Sequence, residues 1–321
     1  MSIVVTGGAG FIGSCIVGSL NKRGISDIII VDDNKDAERC MNISDKHYLS
    51  YIHKNDLFKD LAHMDDVEAI IHMGACSSTT EYDSDYLYKN NFEYTKNLWD
   101  YCADRGISII YASSAATYGD GSNGFDDRDD IDRLMPLNPY GNSKHMFDRW
   151  VKHEAVSFPP QHVGLKFFNV YGPNEYNKGS MASMVFHGYN QIQQTGKIRL
   201  FKSYIQNIPD GEQKRDFVYV KDVCDVVMWF LDHKDISGLF NVGTGRARSF
   251  NELAEAVFAA LNLKPDIEYI DMPEVLMDKY QYYTEAKIDK LREAGYDKSF
   301  LDIKQGADDY VKNYLINEYC F

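Results

Sequence analysis

Over the first half of the chain, short blocks of β-branched residues alternate with longer stretches in which apolar side chains recur every three or four positions. The blocks predict strands at Ile3–Thr6, Ile28–Val31, Ala69–His72, Ile109–Ala112 and Val163–Phe168, and the longer stretches predict helices over Phe11–Arg23, Asp85–Arg105 and Tyr140–Ala155. Each strand block is apolar throughout, as a strand covered on both faces must be. Strand and helix taking turns in this way predict an α/β protein built on a doubly wound parallel sheet.

After about Tyr171 the texture shifts to glycine, asparagine and charged loops, with one further apolar block at Gly238–Val242 and an amphipathic helix over Phe250–Leu261. A strand so late in the chain can rejoin the first sheet. The expected organisation is therefore a Rossmann dinucleotide-binding domain from 1–171 plus 218–242, interleaved with a smaller α/β substrate domain from 172–217 plus 243–321.

The chain has 321 residues and a formal charge of −14, with 34 Lys and Arg against 48 Asp and Glu. That balance argues against binding nucleic acid or anionic membranes through a broad basic surface. The longest apolar runs fall far short of the roughly 20 residues of a membrane helix, and no basic leader precedes the first strand. A cytoplasmic protein is expected. Six scattered cysteines, without a CxxC pair or clustering with histidine, suit reduced thiols and give no metal site. The acidic stretch Asp126–Asp132 reads most simply as a solvated loop.

The glycines of TGGAGFIG (Gly7, Gly8, Gly10 and Gly13) lie between the first strand and the first helix. Glycine there permits a tight turn and lets backbone amides and a helix N-terminus approach a pyrophosphate. Asp32 follows the second strand, nineteen positions beyond Gly13, where a carboxylate accepts hydrogen bonds from a ribose and points to NAD. Lys35 and Arg39 follow closely, and a guanidinium pairs with the 2′-phosphate of NADP. Both cofactors stay open, as does the plainer fate of Arg39 as a solvent-facing loop charge.

Tyr140 and Lys144 in NPYGNSK form a YxxxK pair at the start of a helical pattern, which places both on one face. An unperturbed phenol titrates near 10 and is a poor base, so a neighbouring ammonium has a purpose. Tyrosine and lysine also meet at this spacing as ordinary surface neighbours. Ser113-Ser114, directly after the predicted fourth strand, adds a hydroxyl at the sheet edge where open α/β sheets bind ligands.

With these features the sequence resembles the extended short-chain dehydrogenase/reductase superfamily along essentially the whole chain. Within it, GACSSTTE, YASSAATYG, FFNVYGPNE, KGSMAS, KRDFVYVKDV and FNVGTGRARSF resemble the branch that inverts C6 of an ADP-linked heptose for lipopolysaccharide core synthesis. The resemblance implies an NADP-dependent nucleotide-sugar epimerase acting as a homo-oligomer, a pentamer among the candidates. It implies that Gly7, Gly10, Phe11, Ile12, Gly13, Asp32, Asp33, Arg39, Lys54, Met73, Gly74, Ala75, Cys76, Ser77, Asn90, Lys144, Val170 and Lys178 contact the dinucleotide. Ser114 would assist catalysis, with Tyr140 and Lys178 as the two acid/base residues. Ser114, Asn169, Ser180, His187, Phe201, Lys202, Ser203, Tyr204, Arg215 and Tyr280 would line the ADP-heptose site.

Two departures from that pattern stand out. Asp32-Asp33 replaces the usual Asp-Asn and adds a negative charge near a 2′-phosphate, and the loop between Phe201 and Arg215 is longer than expected. Competing readings are a UDP-sugar 4-epimerase and a dinucleotide sensor without turnover. A 4,6-dehydratase is disfavoured, because Ala115-Ala116 stand where those enzymes carry an Asp-Glu pair. A salt bridge to an acidic neighbour is the alternative for Arg215, and plain surface exposure the alternative for Lys178.

Overall fold

The computed structural model describes residues 1–33, 41–277 and 280–321. Seven strands form one parallel sheet: β1 (Ser2–Thr6), β2 (Ile28–Asp32), β3 (Ser50–His53), β4 (Val67–His72), β5 (Ser108–Ser114), β6 (His162–Phe167) and β7 (Gly238–Val242). Their order across the sheet is β7-β6-β5-β4-β1-β2-β3. The winding reverses between β1 and β4, the position outside which open α/β sheets bind ligands.

Successive residues of the central strands enter opposite cores. Val4, Ile29, Ile70 and Ile109 pack with Leu98 and Trp99 of a helix at Tyr94–Arg105 and with Phe147 and Trp150 of a helix at Pro139–His153. Ile3, Ile30, Ile71 and Ile110 pack on the other side with Ile16 and Leu20 of the helix Phe11–Lys22 and Val223 and Val227 of the helix Val220–Asp232. These four helices are α1 (Phe11–Lys22), α2 (Tyr94–Arg105), α3 (Pro139–His153) and α4 (Val220–Asp232). Burial on both faces accounts for the unbroken apolar blocks.

Three details depart from the sequence expectation. Strand β3 was not foreseen; it is an edge strand in which only Ile52 is fully buried, so it carries no apolar block. The predicted helix Asp85–Arg105 is a short turn at Ser84–Leu87, a π-helical stretch at Tyr88–Glu93 and then α2. The acidic stretch is anchored: Asp127 accepts a hydrogen bond from the Asn241 amide (2.7 Å), and Asp132 is paired with Arg149, Lys152 and His153 on α3. The basic face of α3 draws that loop down. Among the described residues no helix is long and apolar enough to cross a membrane.

Candidate active site

At the end of β1 the chain turns through Gly7, whose φ of +65° suits glycine, and enters α1. A Cβ on Gly7 would lie 2.7 Å from the Gly74 amide, and one on Gly13 would lie 2.0 Å from the Gly7 carbonyl. The glycines therefore let the β1 turn, the β4 loop and the first turn of α1 close on one another. Gly10 leaves the N-terminus of α1 with no side-chain cap and no acidic residue in its first turn. An uncapped helix start beside a cleft is suited to an anion.

That cleft has a volume of about 410 Å³. Gly7, Gly10, Phe11, Ile12, Gly13, Asp32, Asp33, Lys54, Met73, Gly74, Ala75, Cys76, Ser77, Asn90 and Lys178 all line it. Asp32 is buried at the end of β2, its carboxylate accepting from the amides of Ala9 (3.0 Å) and Asp33 (2.9 Å). The Lys54 ammonium donates to Asp33 and to Asn90, each at 2.9 Å. Val170 sits half-buried in a short strand at Asn169–Tyr171, outside this lining, and Arg39 lies outside the described residues.

The candidate reaction centre lies where β5 meets α3. Asn138 caps α3 by accepting from the Gly141 amide (2.8 Å), Pro139 occupies the first turn, and Tyr140 follows. A Cβ on Gly141 would come within 2.9 Å of the Ala116 carbonyl, so this helix start abuts the turn after Ser114. The Tyr140 hydroxyl neighbours Ser114; burial raises the phenol's pKa, the Ser114 hydroxyl opposes the rise and Cys76 adds to it. Lys144 is buried and donates to the Ala112 carbonyl at 2.9 Å. Burial lowers its pKa to about 8, against the opposing pull of Asp148 and Cys76.

Lys178 follows the buried Glu175, and its ammonium lies 5.2 Å from the centre of the Phe11 ring. Burial lowers its pKa and Glu175 opposes the change. In the second half of the chain, Arg215 is buried between the rings of Phe250 and Tyr280, at 5.9 and 5.2 Å. Its guanidinium donates to the carbonyls of Lys214 and Gln281, and among the described residues it forms no ion pair with a carboxylate. The Gln281 side chain reaches back to the Gly119 carbonyl, joining this cluster to the turn beyond Ser114. Phe201 packs edge-on against Tyr280.

Other substrate-side candidates are dispersed. Lys202 is turned outward onto Asp271 (3.0 Å), which Tyr204 also contacts (3.3 Å). The Ser203 amide is held by Asp210 (2.7 Å), Ser180 is exposed in a single turn at Gly179–Met181, His187 is half-buried on the helix Met184–Thr195, and Asn169 is exposed. Two buried residues went unnoticed in the sequence. Asn91 accepts from the Cys76 amide (2.9 Å) and donates to the Cys76 carbonyl and to Ser143, both at 3.0 Å. Asp148 accepts from Ser113 at 2.6 Å. The signals were present as an Asn-Asn pair inside a helical stretch and as a carboxylate eight positions after Tyr140, on the same helix face.

A glycine turn after the first strand of a doubly wound sheet, a buried carboxylate at the end of the second, and Ser114, Tyr140 and Lys144 placed where β5 meets α3 suit a dinucleotide-dependent enzyme of the extended short-chain dehydrogenase/reductase type. The profile of the NAD dependent epimerase/dehydratase family matches residues 3–243. The chain belongs to that family, and its cofactor is a nicotinamide dinucleotide, which the glycine cradle and the open start of α1 fit. It is 51 % identical to the ADP-L-glycero-D-manno-heptose-6-epimerase of Fusobacterium nucleatum, over 98 % of each chain. It is 50 % identical to the protein of the same name in Nitratidesulfovibrio vulgaris, over 97 % of each. Among solved structures, the Helicobacter pylori ADP-L-glycero-D-manno-heptose-6-epimerase superposes with a TM-score of 0.80 at 28 % identity, over 97 % of this chain and 95 % of that one.

Proposed function

We propose that this protein interconverts ADP-D-glycero-D-manno-heptose and ADP-L-glycero-D-manno-heptose by inverting C6, with NADP as cofactor. The observation that carries the reading is the 51 % identity, over nearly the whole chain, to a relative named for this epimerisation.

C6 of the heptose bears an unactivated hydroxyl and a hydrogen that is not acidic, so direct deprotonation is closed to it. What a nicotinamide dinucleotide held at the glycine turn would supply is reversible hydride transfer at C6, which permits return of the hydride to the opposite face of a planar ketone. Tyr140 and Ser114 both hydrogen-bond to the reacting oxygen. Burial keeps the Tyr140 phenol protonated in the free chain, so it serves as donor to the ketone oxygen on reduction, and the hydroxyl proton released on oxidation goes to the other proton site. Once the ketone has turned, its oxygen points elsewhere, and a second proton site is required. Lys178 supplies it: a lysine whose pKa is lowered by burial gives up and retakes a proton more readily than a surface lysine.

Arg215 takes the pyrophosphate of the sugar nucleotide, an assignment supported by its burial without a carboxylate partner. Phe201 and Tyr280 frame that position, and Asn169, Ser180, His187, Ser203 and Tyr204 complete the sugar-nucleotide side. For the cofactor, the Lys54 contact offsets the extra negative charge of Asp33 beside a 2′-phosphate, and Arg39 pairs with that phosphate.

The test is to incubate the purified protein with ADP-D-glycero-D-manno-heptose and, separately, with UDP-galactose, following stereochemistry by NMR and identifying co-purified cofactor by mass. Inversion of the heptose alone, with NADP recovered, is expected. Conversion of UDP-galactose with the heptose untouched would replace this reading by a 4-epimerase.

A further inference from the structure

Three consecutive residues at the end of β5 face three residues spaced by one turn along α3. Ala112 accepts from Lys144 (2.9 Å), Ser113 donates to Asp148 (2.6 Å) and Ser114 neighbours Tyr140. Tyr140, Lys144 and Asp148 stand at i, i+4 and i+8, on one helix face. The first and third rungs belong to the reaction centre. The middle one ends on a carboxylate that has no part in the chemistry described above.

Asp148 is 3 % exposed, and one of its oxygens has no hydrogen-bond partner. Beyond it lies Lys166 of β6, only 1 % exposed, with its ammonium 4.0 Å from the Asp148 carboxylate. Lys166 donates to the Thr117 hydroxyl (2.9 Å), which in turn donates to the Ser114 carbonyl (2.8 Å). The network thus closes back on the strand end that carries Ser114. Burial raises the pKa of the Asp148 carboxyl, and Lys166, the Ser113 hydroxyl and Lys144 oppose that rise.

A buried ammonium loses its proton unless an anion compensates the lost hydration. The hydrogen-bond acceptor of Lys144 is a neutral carbonyl; the full negative charge on its side is one helical turn further along α3. We propose that Asp148 is the positioning residue of the candidate reaction centre: its carboxylate, one turn from Lys144 on the same face of α3, keeps that ammonium charged and, through Ser113, fixes the strand end that presents Ser114. The inference rests on the reading above that Tyr140 and Lys144 serve the epimerisation.

The groups facing this network limit what else can titrate with it. His72 of β4 and His145 of α3 are lowered by burial to about 3 and about 4, so both stay neutral. Tyr111 of β5 and Tyr118 of the turn Ala115–Tyr118 are raised by burial and stay protonated. Lys166 is lowered by burial while Asp148 and Asp127 oppose it. Cys76, on the loop after β4, faces both Tyr140 and Lys144.

The experiment records kcat and KM for ADP-heptose epimerisation from pH 6 to 10, in a Cys76→Ser background that removes the neighbouring thiol. Asp148→Asn should move the alkaline half-point of kcat down by about one pH unit, a tenfold loss at the old half-point that is recovered toward pH 6. KM should change less than about twofold, and Asp148→Glu should restore the profile. Lys166→Met, which leaves the carboxylate to Lys144 alone, should move the half-point up.

If Asp148→Asn does not accumulate as folded protein, the double variant Asp148→Asn/Lys166→Met removes both buried charges together, and its half-point should lie below that of Lys166→Met alone. An unmoved half-point in folded Asp148→Asn, or a double variant level with Lys166→Met, overturns the proposal, as does a downward shift in Lys166→Met or a uniform loss at every pH. A parent enzyme inactive on ADP-heptose would instead refute the proposed function, so the two failures are separable.

Discussion

Replacing Lys144 by methionine should make the protein more stable while abolishing its turnover. The ammonium is 4 % exposed and its pKa falls from 10.5 to about 8, chiefly through burial. At roughly 1.4 kcal/mol per pH unit, the charged form costs the fold about 3 kcal/mol at pH 7. Methionine removes that cost but forfeits the hydrogen bond to the Ala112 carbonyl, worth about 1 kcal/mol or somewhat more. Asp148 keeps Ser113 and Lys166 as neighbours. The net expectation is a gain of about 1–2 kcal/mol, read as a rise in Tm of a few degrees by calorimetry on cofactor-free protein.

The sign with pH is fixed as well. Between the folded value near 8 and the unfolded value of 10.5 the unfolded chain binds the extra proton, so the natural protein gains stability as pH rises through that window. The advantage of the variant should therefore be full below pH 8 and shrink toward pH 10.5. A variant less stable than the natural chain at pH 7, or an advantage that does not change over this window, would refute the reasoning.

Tyr140→Phe should lower kcat by about two to four orders of magnitude while leaving cofactor affinity and Tm nearly unchanged, since it removes one hydroxyl beside Ser114 outside the lining of the dinucleotide cleft; stopped NMR time courses with fluorescence titration of the cofactor check both halves. Lys178→Met should also suppress inversion, and normal rates would leave a scheme with one proton site. Arg39→Ala should weaken NADP more than NAD in equilibrium dialysis; equal losses would contradict a 2′-phosphate contact.

The glycine turn, Asp32 and the Ser114–Tyr140–Lys144 group were legible in the sequence because each is tied to a strand end or a helix start, and local pattern fixes those. The sheet was legible for the same reason, except at β3, where edge exposure removes the apolar block that marked its neighbours. Lys202 shows where spacing fails. Its nearness in sequence to Phe201 says nothing about the direction of its side chain, and the competing carboxylate, Asp271, lies 69 positions away. Asn91 and Asp148 were hidden because their identity is ordinary in helices; only burial beside Cys76 and Ser113 separates them from surface residues.

A chain with a formal charge of −14 is an unpromising receptor for an anionic sugar nucleotide at long range. Salt screens that repulsion beyond about 8 Å at physiological ionic strength, so the balance is decided close to the bound anion. Arg215 is desolvated against two rings with only carbonyl acceptors, a state that a pyrophosphate relieves more than a solvated arginine would allow. Some surface cations, by contrast, are already matched to carboxylates, as Lys202 is to Asp271 and Arg23 to Asp232, and have less to gain from the anion than Arg215 has.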